Sequence, residues 1–268
     1  MKKFVLFLSL FLFSNPVFAG ISLDFDDGIY HIVISGKSFE KKINFIAFET
    51  LKTNEEVHKI TGSELTINTG FFDPKNQKTI SHIVNGGVVL EDPRLNENLM
   101  NNPILRQNID KIFNRTEFRV VECDDKYHYE ITQHNVPVDF SCSIVTSAQG
   151  GPMLLPQLRL EEEFFIQTKN DEVIRESASV LHKTARTLIG LKNQDVHIFI
   201  ITNEHPMDIY ESRDLCKKYE LDTAMAFDGG SSTSFDYKNH HVISTEGKDA
   251  DTGRRLKSFM IIKKMKNY

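Results

Sequence analysis

Cysteine is scarce in this chain: Cys123, Cys142 and Cys216 are its only three. Three cannot staple a small disulfide scaffold, and their spacing matches no metal-binding pattern. Long apolar runs are nearly absent. The one candidate, Phe4 to Phe13, is shorter than the ~20 residues that span a bilayer and follows Lys2 and Lys3. Behind it, Val17-Phe18-Ala19 fits small-residue cleavage before Gly20, so residues 1–19 read as an export signal. No second apolar span follows, and no cysteine stands at the cleavage position to carry a lipid. Clustered cations are missing too. The 32 Lys and Arg face 37 Asp and Glu, a formal net charge of −5, which argues against nucleic acid, whose backbone requires a basic stripe. The ten histidines are scattered and no EF-hand loop is present, so no compact metal motif stands out. The absence of a Gly-x-Ser-x-Gly elbow argues against Ser231 or Ser232 as a nucleophile.

With no internal repeat, low-complexity tract or linker, residues 20–268 read as one domain, exported to the periplasm or secreted. Ile21 to Asp26 and Ile29 to Ser35 alternate apolar and polar residues around Asp27-Gly28, a hairpin signal. Ile43 to Glu49 reads as a strand, and Thr53-Asn54-Glu55-Glu56 as a capped helix start. His82 to Leu90 contains Asn85-Gly86-Gly87 and predicts a second hairpin. The Asn-rich, proline-interrupted stretch from Glu91 to Asn114 predicts a loop-dominated insertion covering the site. Glu117 to Glu122 and Tyr127 to Thr132 form a third hairpin signal, flanked by Cys123 and Cys142, which could pair in an oxidising compartment. Pro206 to Leu221 predicts the clearest helix and packs Cys216 as a small apolar residue. Ser258 to Lys263 predicts a closing strand. Strands outnumber helices and join through short turns, which predicts an α+β fold: a twisted, mixed but largely antiparallel sheet with a few covering helices.

The most informative stretch is Asp228-Gly229-Gly230-Ser231-Ser232-Thr233, directly after the apolar run Ala224 to Phe227. A buried strand ending there delivers an acid and several hydroxyls to the rim of a sheet, where ligands commonly sit. Three further glycine-bearing segments precede it: Asn68-Thr69-Gly70-Phe71-Phe72-Asp73, Gln149-Gly150-Gly151-Pro152 and Arg186-Thr187-Leu188-Ile189-Gly190. In this order the four resemble the phosphodiester glycosidase family, whose motifs are Asn-Gly-Gly-Phe-Phe, Gly-Pro, Arg-Thr-Ala-Ile-Gly and Asp-Gly-Gly-Gly-Ser-Ser-Thr. The resemblance runs from about Ile43 to the C-terminus. Thr69 stands where the family has a second glycine, and the final loop carries two glycines where three are typical. Where relatives carry Asp-Gly-Arg, this chain has Asn203-Glu204-His205.

The resemblance implies hydrolysis of a sugar-1-phosphodiester, such as an N-acetylglucosamine-1-phosphodiester, to free sugar and a phosphomonoester. A departing phosphate monoester is a weak base, so a cation can replace the acid that ordinary glycosidases need. On this reading Arg186 holds the phosphate through its planar fork. Asp228 serves the anomeric centre, and Asp73 is the leading second carboxylate. Asn68, Gln149, Ser232 and Thr233 are candidate donors to the substrate, with Thr187 supporting Arg186, and Gly70, Gly150, Gly151, Gly229 and Gly230 permitting close backbone approach. No cofactor is specified; Asp73, Asp228 and Glu204 could supply oxygen ligands to a divalent cation. A non-catalytic binder of envelope glycans or glycophosphates is the alternative reading.

Overall fold

The computed structural model describes residues 20–36, 39–40 and 42–264; the proposed export signal lies outside them. Three antiparallel sheets carry the fold. The six-stranded sheet runs in spatial order Gly20–Asp26, Ile29–Ser35, Asp195–Ile201, Arg186–Lys192, Thr223–Ala226 and Met153–Leu155. A five-stranded sheet, here the Asn68 sheet, contains His240–Ile243, Ser234–Tyr237, Leu65–Asn68, Leu256–Ile262 and Ile43–Lys52. The other, the Gln149 sheet, contains Val88–Glu91, Ile83–Asn85, Cys142–Gln149, Thr116–Cys123 and Lys126–Gln133. A separate ribbon pairs Ile166–Lys169 with Glu172–Glu176.

The hairpin signals are realised where turn chemistry is strong. At Asp27 and Gly28 both φ angles are positive, 45° and 76°, the two left-handed torsions that match the twist of flanking strands. Glu117 to Thr132 folds as the third hairpin, closed by Asp124 and Asp125, also left-handed. Cys123 and Cys142 face each other on adjacent strands and form a disulfide, while Cys216 is free and buried. Thr53 caps helix Asn54–Thr61 in a capping box with Glu56, and Gly62 ends it at φ 60°. Asp208 and Glu211 form the same box before helix Ile209–Lys218.

Two expectations change. Every ladder between described strands is antiparallel, so the sheet is not mixed; the largely β architecture with a few helices is otherwise roughly what the α+β expectation describes. The insertion is helical rather than loop-like: Glu97–Asn101, Pro103–Arg106 and Ile109–Phe113 follow a short turn at Pro93–Leu95. Asn96 and Asn102 explain this, because their side chains accept from the backbone of Leu99 and of Ile104 and Leu105. The Asn-rich composition supplies helix caps to segments too short to hold themselves.

One core ties the sheets together. Ile32, Ile198 and Ile189 of the six-stranded sheet pack with Phe45, Ile67 and Phe235 of the Asn68 sheet and Phe118, Val120 and Ala148 of the Gln149 sheet. A second cluster, with Leu188, Phe199 and Ala226, lies beneath helix Ile209–Lys218. The Asp228 loop emerges where these layers meet.

Candidate active site

Asp228 is fastened from both sides before its side chain does anything. Its backbone N–H donates to the carbonyl of Thr69, that of Phe227 to Thr187, and that of Gly230 to Ala185. The carboxylate accepts from Ser232 Oγ at 2.7 Å and faces a cavity of about 260 Å³. Phe71, Phe72 and Phe165 form its aromatic wall; Ile80, Leu99, Leu105 and Ile112 add aliphatic surface from the helical insertion and its approach. Three cations complete it: Arg115, Arg175 and Arg254.

Burial pushes the Asp228 carboxyl up to about 6, because an ion loses hydration there. The Ser232 hydroxyl, the Arg254 charge and the Gly229 N–H work in the opposite direction. Asp228 is nonetheless only half-buried as a residue, and it lines the cavity. Arg254 donates to Ser231 Oγ at 2.6 Å and lies over the Phe72 ring, 5.2 Å from its centroid. Arg115 is sandwiched more deeply. Its Nε donates to the Glu163 carbonyl at 3.0 Å, and its guanidinium sits 4.0 Å from the Phe165 centroid. Desolvation lowers it to about 10, which leaves it charged at neutral pH. Arg175 stacks on Phe164 and donates to its carbonyl.

Several sequence expectations are corrected here. Arg186 does not face the cavity. Its Nε donates to Met207 O, and one terminal nitrogen donates to the carbonyls of Ser179, Val180 and His182. A buried guanidinium must satisfy its donors, and the loop beside the cavity does so first. Asp73 is also outside. It opens a turn, accepting from Lys75 N and Asn98 Nδ2, in a neighbouring depression. Glu204 lies in another groove with Tyr30, so Asp73, Asp228 and Glu204 share no cavity. Among the described residues no group of three His, Cys, Asp or Glu is placed to hold a metal ion.

The remaining motif residues build the site rather than line it. Asn68 is buried; its Nδ2 donates to Asp228 O at 2.6 Å, while its Oδ1 accepts from Thr187 Oγ1 and Ser234 N. Thr187 thus supports Asn68, not Arg186. Gln149 spans from His82 N to the carbonyls of Phe113 and Arg115, which fixes where Arg115 starts. Thr233 Oγ1 is buried without a hydrogen-bond partner. Gly70, Gly150 and Gly229 permit close packing: a Cβ on Gly150 would stand 2.6 Å from Ala226 O. At Gly151, φ is +101° and a Cβ would lie 2.3 Å from a Glu163 oxygen. Gly230 is left-handed at the turn itself.

Sequence reasoning missed Arg254, Arg115 and Arg175. Phe71 stood within a quoted motif, but nothing local marks the arginines: Arg254 is half of an ordinary Arg-Arg pair, and Arg115 is the middle of a formal Asn-Arg-Thr glycosylation sequon. The segment Asn203-Glu204-His205 brings no cation to the cavity, and Asn203 instead binds Glu246 and Ser244.

A model of the phosphodiester glycosidase family matches residues 61–263. The chain belongs to that family. No curated protein matches its sequence. In three dimensions this family member is similar to the zebrafish N-acetylglucosamine-1-phosphodiester alpha-N-acetylglucosaminidase catalytic domain auto-inhibited by its pro-peptide. The TM-score is 0.66 at 14% identity, over 92% of this chain and 82% of that one. It is also similar to a hypothetical protein from Synechocystis, with a TM-score of 0.56 at 11% identity over 90% of this chain and 61% of that one. A Burkholderia pseudomallei protein gives 0.60 at 8% identity, over 88% and 74%. At these identities the structural likeness establishes the shared fold.

Proposed function

We propose that this protein is an exported hydrolase that cleaves the glycosidic bond of a sugar-1-phosphodiester. The observation carrying the reading is the cavity itself: one carboxylate raised to about 6, three arginines and three phenylalanine rings in about 260 Å³. Phosphate oxygens are matched by guanidinium forks, and the apolar face of a sugar ring is matched by the phenylalanines. Asp228 is the only acid among the residues lining that cavity, so no second carboxylate is at hand to protonate the leaving group. None is needed when a phosphate monoester departs.

In this mechanism water attacks the anomeric carbon and gives its proton to ionised Asp228. The bond from that carbon to the phosphate oxygen breaks, and the electron pair leaves with the phosphate, whose charge Arg254 and its neighbours stabilise. Preorganised charge of this kind is worth about 3 kcal/mol of barrier, a factor of about a hundred or more. Arg254 takes the part expected of Arg186. Export agrees with residues 1–19 as a leader and with a disulfide, a bond that persists in oxidising compartments.

Incubation with N-acetylglucosamine-1-phosphodiesters in heavy-oxygen water tests the reading. Label in the released sugar is the expected result. Label in the phosphate would mean attack at phosphorus, and intact substrate throughout would leave the protein as a glycan binder.

A further inference from the structure

The cavity's lining is more apolar than recognition of a sugar phosphate requires. Ile80, Leu99, Leu105 and Ile112 bring aliphatic carbon beside the arginines, and none can bond a hydroxyl. The insertion, the strand before it and the ribbon also carry exposed apolar side chains. Seven of the twelve large hydrophobic residues exposed among the described residues fall between 88 and 104 or at 173 and 174. Val88, Val89, Leu95, Ile104, Val173 and Ile174 are each 46% to 70% exposed.

These two segments are also the ones that wall the cavity. Leu99 and Leu105 belong to the helical insertion, and Arg175 follows Val173 and Ile174 on the ribbon strand. Lining residues and exposed apolar residues therefore lie close together in sequence along the insertion and the ribbon. Exposed apolar residues scattered singly need no explanation, whereas their concentration on the segments that also supply a site's lining does. Helix Pro103–Arg106 shows the arrangement in one turn: Ile104 points to solvent and Leu105 lines the cavity.

We propose that the phosphodiester of the substrate is borne on an aliphatic chain, with sugar and phosphate in the cavity and the chain lying along the apolar rim of the insertion and the ribbon. This rests on the hydrolase reading above and specifies its substrate class: a glycosyl-1-phospholipid, cleaved to free sugar and a phosphate monoester that stays on the chain. The cavity of about 260 Å³ takes the sugar and phosphate, and the proposal lays the chain over the exposed apolar residues of the same two segments. The bond broken and the fate of the proton are unchanged.

The test uses methyl, butyl and hexyl esters of N-acetylglucosamine-1-phosphate, all soluble as monomers. Burial of each methylene should raise kcat/KM by up to about fourfold, giving at least about tenfold from methyl to hexyl. In Leu95→Asp/Ile104→Asp, whose altered side chains lie outside the cavity, the methyl ester should turn over at the original rate and the chain-length gain should vanish. Equal rates for methyl and hexyl esters in the native protein would overturn the proposal while leaving the hydrolase reading intact. No hydrolysis of any ester would overturn the hydrolase reading itself. If the double substitution converts a dimer to a monomer without altering chain-length preference, the rim is a contact between copies and the proposal falls.

Discussion

The protonation of Asp228 is the most exposed point of the mechanism, and Ser232→Ala addresses it with little change in volume. The Ser232 hydroxyl donates to the carboxylate at 2.7 Å and favours its ionised form. A hydrogen bond to a charged group is worth about 1.5 kcal/mol, or about one pH unit. Removing it raises the Asp228 pKa from about 6 towards 7, roughly, on that arithmetic. Because the mechanism needs the ionised form, the acid limb of kcat/KM moves upward with it. Near pH 5 the variant should lose about tenfold, and near pH 8 almost nothing. A pH profile of hydrolysis, with circular dichroism to verify folding, makes the measurement. An equal loss at every pH, or an unmoved limb, would refute the assignment of Asp228 as the ionised base.

Asp228→Asn should abolish turnover yet stabilise the fold at alkaline pH. A carboxyl whose folded pKa is raised contributes stability below its unfolded value, lost as pH rises through about 6. Two pH units correspond to up to about 3 kcal/mol, so Tm should rise by several degrees near pH 8 and hardly at all near pH 4. Arg254→Ala should lower kcat/KM by about a hundredfold or more with Tm nearly unchanged. Arg186→Ala should do the reverse, costing about 3 kcal/mol of stability because four carbonyls lose their donor; paired thermal melts and kinetics separate the two. Reduction of Cys123–Cys142, which closes a separation of 19 residues, should cost about 3 kcal/mol of stability. Activity of the folded protein should survive, since Cys123 lies at the far end of strand Thr116–Cys123 from Arg115, about 26 Å away at ~3.3 Å per residue.

What the sequence revealed and what it hid follow a physical division. Turns and caps are local, so Asp27-Gly28, Thr53 with Glu56, and the hairpin between Glu117 and Thr132 could be read directly. Asp228 stood out because an acid, two glycines and three hydroxyls follow a buried strand, and the structure lines the cavity with it. The partners of buried polar groups are not local. Arg186 sat in an apolar run, which flags a special cation, but only folding decides whether its donors meet substrate or the carbonyls of Ser179, Val180, His182 and Met207. Arg115, Arg175 and Arg254 come from three unconnected segments and acquire meaning only where they converge. The insertion was misjudged for a related reason. Asparagine favours loops by competing for backbone bonds, and at Asn96 and Asn102 the same competition caps helices.

Asn68 has a wider consequence. It belongs to one sheet, accepts from Thr187 on another, and grips the carbonyl of Asp228. Asp228 is therefore latched across a seam and has no correct position until both halves have docked. On the proposed reading of an exported hydrolase, chain crossing a membrane in an extended state is inert towards sugar phosphates. Turnover on that reading begins only after folding on the far side, with assembly itself acting as the safety catch.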